Sequence, residues 1–368
     1  VSGFLTHHGV ALEGPITVPT WPTPAAALTS LLAFTSATVE PMDRFAAREV
    51  FGGMSGTLTV DAVAQTAACQ VTAPLTALGQ ESLLACALGY APRVLAGTTY
   101  PVALGSGVWR HRLELVNQLR AMPWPAADGI ATSLLLRRLT LVLGSPVDVY
   151  EVQSGMLTGW QLTAQPDSVR LQVAAVGATL ETATPVNTWA TLTALPPPVA
   201  PDLADVDLVC RFGPLSATTP PGATDEIDIM QVTLQCQRPW RLEQSLSSGL
   251  LLAEPSCTGV AVVTGSLTVP WYTPWAHDLL AAIRAQTPYT LELRATWPGS
   301  PTVLRLWGPA CHLDAVTRPW TAAAPTAQIA FTVLAPPSVP TWLGGVRDDG
   351  RLVVELETTT ATHPLLGV

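Results

Sequence analysis

No lysine occurs in the 368-residue chain, and charged residues of either sign make up only 12% of it. All 18 cations are arginines, set against 27 acids, for a formal net charge of −9. A protein that binds nucleic acid by neutralising phosphates needs a basic footprint, which this balance excludes. Long apolar runs are missing as well. A spanning helix takes about 20 consecutive apolar residues, whereas the longest candidate, AAALTSLLAF at 25–34, is shorter and contains Thr29 and Ser30. No membrane span is expected, nor a secretion signal, since the N-terminus lacks a basic region followed by an apolar core and a cleavage site.

Frames for chemistry are equally scarce. The six cysteines, at 69, 86, 210, 236, 257 and 311, include no CxxC pair and no Cys/His cluster at zinc spacing. They read as reduced, buried small hydrophobes, with a cross-strand disulfide left open. His7 and His8 are adjacent but have no companion ligands, and His111, His277, His312 and His363 form no HExxH frame. His277 and Asp278 are consecutive on a helix and so do not face each other. Ser55 sits in GMSG, not in the GxSxG elbow of a hydrolase. The GSG at 105–107 lacks the third glycine of a dinucleotide loop. Asp202, Asp205, Asp207, Asp225, Glu226 and Asp228 do not fit the spacing of an EF-hand and read as a solvated acidic stretch. No catalytic residue, cofactor site or metal site is expected.

Apolar residues, by contrast, are plentiful. They make up 48% of the chain, and the mean hydropathy is positive. Without a membrane, that surplus points to large permanent interfaces between protein chains, and hence to an obligate oligomer. The length suits two domains, each burying its own core.

A repeated stretch suggests how the chain is divided. GMSGTLTV at 53–60 and VTGSLTV at 263–269 place Gly56 and Gly265, and then Leu58 and Leu267, at matching offsets, which implies a duplicated strand and a duplicated module. Before the first copy, Pro15, Pro19, Pro22 and Pro24 block a regular ladder, so residues 1–38 read as an extended N-terminal arm. Residues 39–193 form the first module. Within it, Leu83, Leu84, Ala87 and Leu88 recur at helical spacing. Residues 108–122 fit either helix or strand, LLLRRLTLVL at 134–143 reads as buried on both faces, and SVRLQVAAV alternates as a half-buried strand. Residues 194–225, with seven prolines and several acids, form a semi-rigid linker, although DLVCRF at 207–212 has the look of a first strand.

The second module, 226–340, is the plainer β unit. IMQVTLQCQ sets Met230, Val232, Leu234 and Cys236 against Gln231, Thr233, Gln235 and Gln237; YTLELRATW and AQIAFTV alternate in the same way. Between them Thr273 and Pro274 open a helix through 285, with Ala276, Leu279, Leu280 and Ile283 on one face. Residues 341–368 read as a C-terminal arm whose strand, RLVVELE, is available to a neighbour's sheet edge. Trp21, Phe34, Trp342, Leu352, Val354 and Leu356 are the candidate assembly contacts.

The run VEPMDRFAAREVFGG into GMSGTLTV, then a helix, then VYEVQSGMLTGWQLT into SVRLQVAAVGATLE, resembles the major tail tube proteins of long, non-contractile phage tails. VTGSLTV, the 274–285 helix, YTLELRATW, WGPACHLDAV and AQIAFTVLA repeat the later part of that order. The resemblance implies a mainly β fold of two tandem β-sandwich or barrel modules, each with one short helix, plus extended arms. It also implies a structural virion protein with no enzymatic activity and no cofactor. Rings of six modules, three chains per ring, would stack into a hollow tube in the virion tail, assembled in the host cytoplasm. Its partners would be further copies of itself and the tape measure, tail tip and tail terminator proteins, with DNA passing through the lumen and no membrane involved. An alternative from a different class is a two-domain β-sandwich adhesion protein that meets glycans or a receptor through exposed tryptophans.

Overall fold

Alternation of apolar and polar residues dominates this sequence, and the structure, a computed structural model, is accordingly mainly β. It describes residues 7–12, 25–28, 31, 36–41, 44–52, 55–64, 66–75, 81–92, 94–116, 138–166, 168–196, 206–241, 256–270, 281–317, 326–346 and 350–361. The first half carries β1 (His7–Leu12), β2 (Ser36–Pro41), β3 (Arg44–Gly52), β4 (Ser55–Ala64), β5 (Ala67–Pro74) and α1 (Glu81–Leu88). The short strands β6 (Gly89–Tyr90), β7 (Val94–Leu95), β8 (Thr98–Thr99) and β9 (Val102–Gly105) follow, then β10 (Val108–Leu115), β11 (Leu139–Gly144), β12 (Val149–Gln165), β13 (Ser168–Gly177), β14 (Thr179–Glu181) and α2 (Trp189–Ala194). The second half carries β15 (Asp207–Pro214), β16 (Gln231–Gln237), β17 (Trp240–Arg241), β18 (Ser256–Cys257), β19 (Val262–Pro270), β20 (Tyr289–Thr296), β21 (Val303–Thr317), β22 (Thr326–Leu334) and β23 (Val353–Thr358).

Seventeen of these strands are joined by antiparallel pairing. One run has the order β2-β5-β13-β12-β16-β19-β22-β21. The long strands β12 and β21 each serve two layers, because a register shift, between Leu157 and Gly159 in one and Leu313 and Ala315 in the other, re-aims the strand. Their N-terminal parts belong to β1-β11-β12-β14 and to β15-β20-β21-β23-β10-β9.

The two halves repeat one pairing pattern residue for residue. Leu157 opposite Ala175 and Gly159 opposite Ala174 recur, at one constant offset, as Leu313 opposite Phe331 and Ala315 opposite Ala330. Leu139 opposite Gly155 and Leu141 opposite Val152 recur as Tyr289 opposite Cys311 and Leu291 opposite Gly308, bulge included. Ala175 faces Cys69 where Phe331 faces Gly265, so the counterpart of β19 is β5. This corrects the glycine-strand expectation. Gly56 and Leu58 lie in β4, which forms a two-stranded sheet with β3, while Gly265 and Leu267 lie in β19 between β16 and β22. Similar local sequence has been used in two different places, because partners and not composition decide where a strand sits. The halves differ mainly by the stretch carrying β6–β10, which occurs only in the first.

Several segments expected to be arms belong to the body. β1 pairs with β11, and β2 pairs with β5. Leu28 and Leu31 pack with Val142, Val149 and Leu192. Around them, Asn187 Oδ1 accepts from Leu28 N at 2.7 Å while Asn187 Nδ2 donates to Ala26 O at 3.0 Å. At the other end, β23 lies between β10 and β21, so a C-terminal strand closes one layer with residues from both halves. Leu352, Val353, Val354 and Leu356 are buried there, and each such side chain contributes roughly 1.5–3 kcal/mol. The expected linker likewise contains β15 and a 3-10 turn at Ala223–Asp225.

One continuous apolar cluster reaches from Ala67 to Leu356, in place of a separate core for each half. Leu84, Ala87 and Leu88 of α1, Trp160 and Leu162 of β12, Leu304 and Leu306 of β21 and Val354 of β23 border the same small gap. Helix α1 is more deeply set than its spacing suggested, since Ala85 and Cys86 are buried along with its apolar stripe. The ambiguous 108–122 segment is strand from Val108 to Leu115. Arg138 through Val142 are buried on both faces, as expected. β13, β16 and β22 alternate as read, but Met230 is exposed, and Thr290 and Glu292 are buried on the face assigned to solvent. Residues 281–285 are helical, and the rest of the helix expected from 274 lies outside the described residues.

Candidate functional site

The candidate site is built from strand edges and sheet faces. Within the run of paired strands, β12 and β16 form the junction between the halves, with Trp160 opposite Cys236, Gln161 opposite Gln235 and Leu162 opposite Leu234. Counterparts of both strands also sit at the two ends of the run. β2 corresponds to β16 and pairs on one side with β5; the last part of β21 corresponds to that of β12 and pairs on one side with β22. Among the described residues, no strand pairs with the outer edge of β2 or with the outer edge of β21 beyond Cys311.

The outer face of this run is almost free of charge. Thr72, Gln172, Gln161, Gln235, Thr264 and Thr332 stand side by side on β5, β13, β12, β16, β19 and β22. Gln161 Nε2 donates to Thr163 Oγ1 at 3.4 Å, and Gln231 Nε2 to Thr233 Oγ1 at 3.3 Å. Gln70, Thr158 and Gln237 extend the same amide and hydroxyl surface around a shallow depression. Period-2 alternation causes this directly, because the inward set of each strand is apolar and the outward set is mostly Gln, Thr and Ser, with Arg170 on β13 and Glu40 on β2 as charged exceptions.

The second layer has the opposite chemistry. Across β15, β20, β21 and β23, Arg211 NH1 meets Glu292 Oε2 at 3.1 Å, Arg305 Nε meets Glu292 Oε1 at 3.3 Å, and Arg305 NH1 meets Glu355 Oε2 at 3.4 Å. Arg110 joins Glu357 on the next strand at 2.8 Å. Glu292 is buried and owes its place to the two guanidinium groups that flank it.

The predicted site residues separate into distinct places. Leu352, Val354 and Leu356 are core, and so are not assembly contacts: their strand is already paired on both edges within the chain. Trp342 is also held internally, its ring 5.0 Å from that of Trp307 and its Nε1 donating to Ser216 O at 3.0 Å. Trp21 and Phe34 lie outside the described residues. The edges of β2 and β21 escaped the sequence reading, because an edge is defined by what does not pair with it.

Chemistry-bearing groups are dispersed. Among the described residues no three His, Cys, Asp or Glu side chains gather in a way that would hold a metal. Cys69, Cys86, Cys210, Cys236 and Cys311 are buried, and burial pushes the thiol of Cys69 up to about 12. The thiols of Cys210 and Cys311 are raised for the same reason. Such thiols stay protonated and make poor nucleophiles. Of the tryptophans among the described residues, none is exposed. No helix among the described residues is long and apolar enough to cross a membrane. No protein-family model matches the chain, and no curated protein sequence matches it.

Proposed function

We propose that this chain is the structural subunit of a phage tail tube, acting by self-assembly and without enzymatic activity. The observation that carries the reading is the doubled pairing pattern: one chain already joins two copies of a strand unit edge to edge through β12 and β16. In this reading the two copies are tandem tube modules, and a ring of three chains presents six of them. The amide and hydroxyl face supports a lumen wall, since apart from the exposed Arg170 it offers a passing polyanion few cations for which to exchange its counterions. The tape measure, terminator and tip proteins are then the partners along and at the ends of the tube, and the virion tail is its location. Negative-stain electron microscopy of the purified chain, concentrated or warmed, tests this. Rings with threefold symmetry and a sixfold outline, stacking into hollow tubes, are the expected result. Monomers that persist under every condition would sink the reading.

A further inference from the structure

We propose that the open edge of β2 receives the open edge of β21 from a second copy of this chain, in the register of the internal β12–β16 junction. The proposal rests on the self-assembly reading above and names the surfaces that carry it. β2 and β16 are counterparts at a fixed offset: Ser36 faces Thr72 as Gln231 faces Thr268, and Val39 faces Cys69 as Leu234 faces Gly265. The same holds for β21 and β12, where Ala315, Val316 and Thr317 stand for Gly159, Trp160 and Gln161.

Exposure follows the missing neighbour. Along β16 the residues from Gln231 to Cys236 alternate between half-buried and buried, whereas along β2 those from Ser36 to Glu40 alternate between exposed and half-buried, and Pro41 is exposed. Each position of β2 is more exposed than its counterpart. On the other strand, Gly159 and Gln161 are half-buried and Trp160 is buried, while Ala315 and Thr317 are exposed and Val316 is half-buried. The two edges thus lack the same thing that the internal junction supplies, namely each other.

Transferring the register predicts specific contacts. Gln161 opposite Gln235 becomes Thr317 opposite the partner subunit's Glu40, and Trp160 opposite Cys236 becomes Val316 opposite the partner subunit's Pro41. Arg238 N donates to Thr158 O at 3.1 Å, which makes the Gln161–Gln235 position a non-hydrogen-bonded pair. In such a pair the Cα atoms approach to about 4.5 Å. Pro41 takes the place of Cys236 at a hydrogen-bonded pair, so the junction between chains forms with one ladder bond fewer than β12–β16, and the proline blunts this edge against indiscriminate pairing. The contact is head-to-tail, and closes into a ring when its rotation divides a full turn.

The experiment is an engineered cross-link in the full chain. Thr317→Cys combined with Glu40→Cys should give disulfide-linked dimers and closed trimers on a non-reducing gel after mild oxidation. Both positions are exposed, so the variant should keep the fold, which circular dichroism checks. All variants carry Cys257→Ser, and either single one should then stay uncross-linked, because Cys69, Cys86, Cys210, Cys236 and Cys311 are buried. Thr317→Cys with Thr38→Cys is the register control and should link on the order of tenfold less, because a disulfide needs Cα atoms within about 7 Å. Equal linking in the control, or tubes that form with no linking in the matched pair, overturns this pairing while leaving the tube reading in place. Linked trimers that never stack into tubes support the pairing and count against the tube. Unlinked monomers throughout overturn both.

Discussion

Gly265 lies opposite Phe331, whose ring occupies the space that a β-carbon on the glycine would need, with Leu234 Cδ2 only 2.9 Å from that point. At the same place in the first half, Cys69 lies opposite Ala175. One pair combines nothing with a large ring, the other combines two small side chains: the ring is admitted only where the facing residue has no β-carbon, in a core packed to contact. Gly265→Ala should therefore overpack the core and cost about 1–3 kcal/mol, read from urea denaturation. Adding Phe331→Ala should make the alanine at 265 less costly than it is alone, and a double-mutant cycle with no coupling would refute the contact.

The clasp around Glu151 holds Ala26 and Leu28 to the body through Asn187. Glu151 Oε2 accepts from Asn187 N at 3.0 Å and from Asn187 Nδ2 at 2.6 Å, and Oε1 accepts from Val186 N at 3.2 Å. Asn187 in turn holds Leu28 and Ala26. Glu151→Ala leaves several buried donors without an acceptor, at about 1–3 kcal/mol for each group left unsatisfied. The expected sign is a lower melting temperature together with faster proteolysis near residue 25. Asn187→Ala should show the same pair of effects.

Removal of the last strand should unfold a layer, not merely prevent association. Leu356→Ala should cost about 2–5 kcal/mol. Truncation before residue 350 should abolish the cooperative thermal transition, because β10 and β21 both lose a partner. A truncated chain that melts like the full one would return this segment to the status of an arm.

Thiol chemistry offers a probe of burial. The folded-state thiol of Cys69 titrates near 12, above its ordinary 9.0. A group raised in this way adds stability that is fully present below its unfolded value and is lost as pH climbs toward the folded value. Unfolding free energy should accordingly fall between about pH 9 and 12, with a shallower slope in Cys69→Ala. At pH 8, Ellman's reagent should label Cys69, Cys210 and Cys311 rapidly only after denaturant is added; immediate labelling would contradict their placement.

Much of the local structure was legible in the residue order. Period-2 alternation marked β13, β16 and β22, helical spacing marked α1, and the outward set rich in Gln and Thr followed from the same alternation. What alternation cannot carry is the identity of the partner strand. That is why GMSGTLTV and VTGSLTV looked like one strand repeated, although the counterpart of Gly265 is Cys69. It is also why RLVVELE looked like a free arm, although its neighbours are β10 and β21. Proline content likewise suggested that residues 1–38 stand apart, whereas His7–Leu12 pairs with β11, Ala26 and Leu28 are held by Asn187, and residues 36–38 pair with β5; the four prolines lie outside the described residues. Strand periodicity and the scarcity of charge were fixed by residue order alone, because each depends on residue type and short spacing. Which strands pair, that one core runs through both halves, and that the run from β2 to β21 ends in two unpaired edges among the described residues were set by the tertiary structure, because those depend on contacts between residues far apart in the chain.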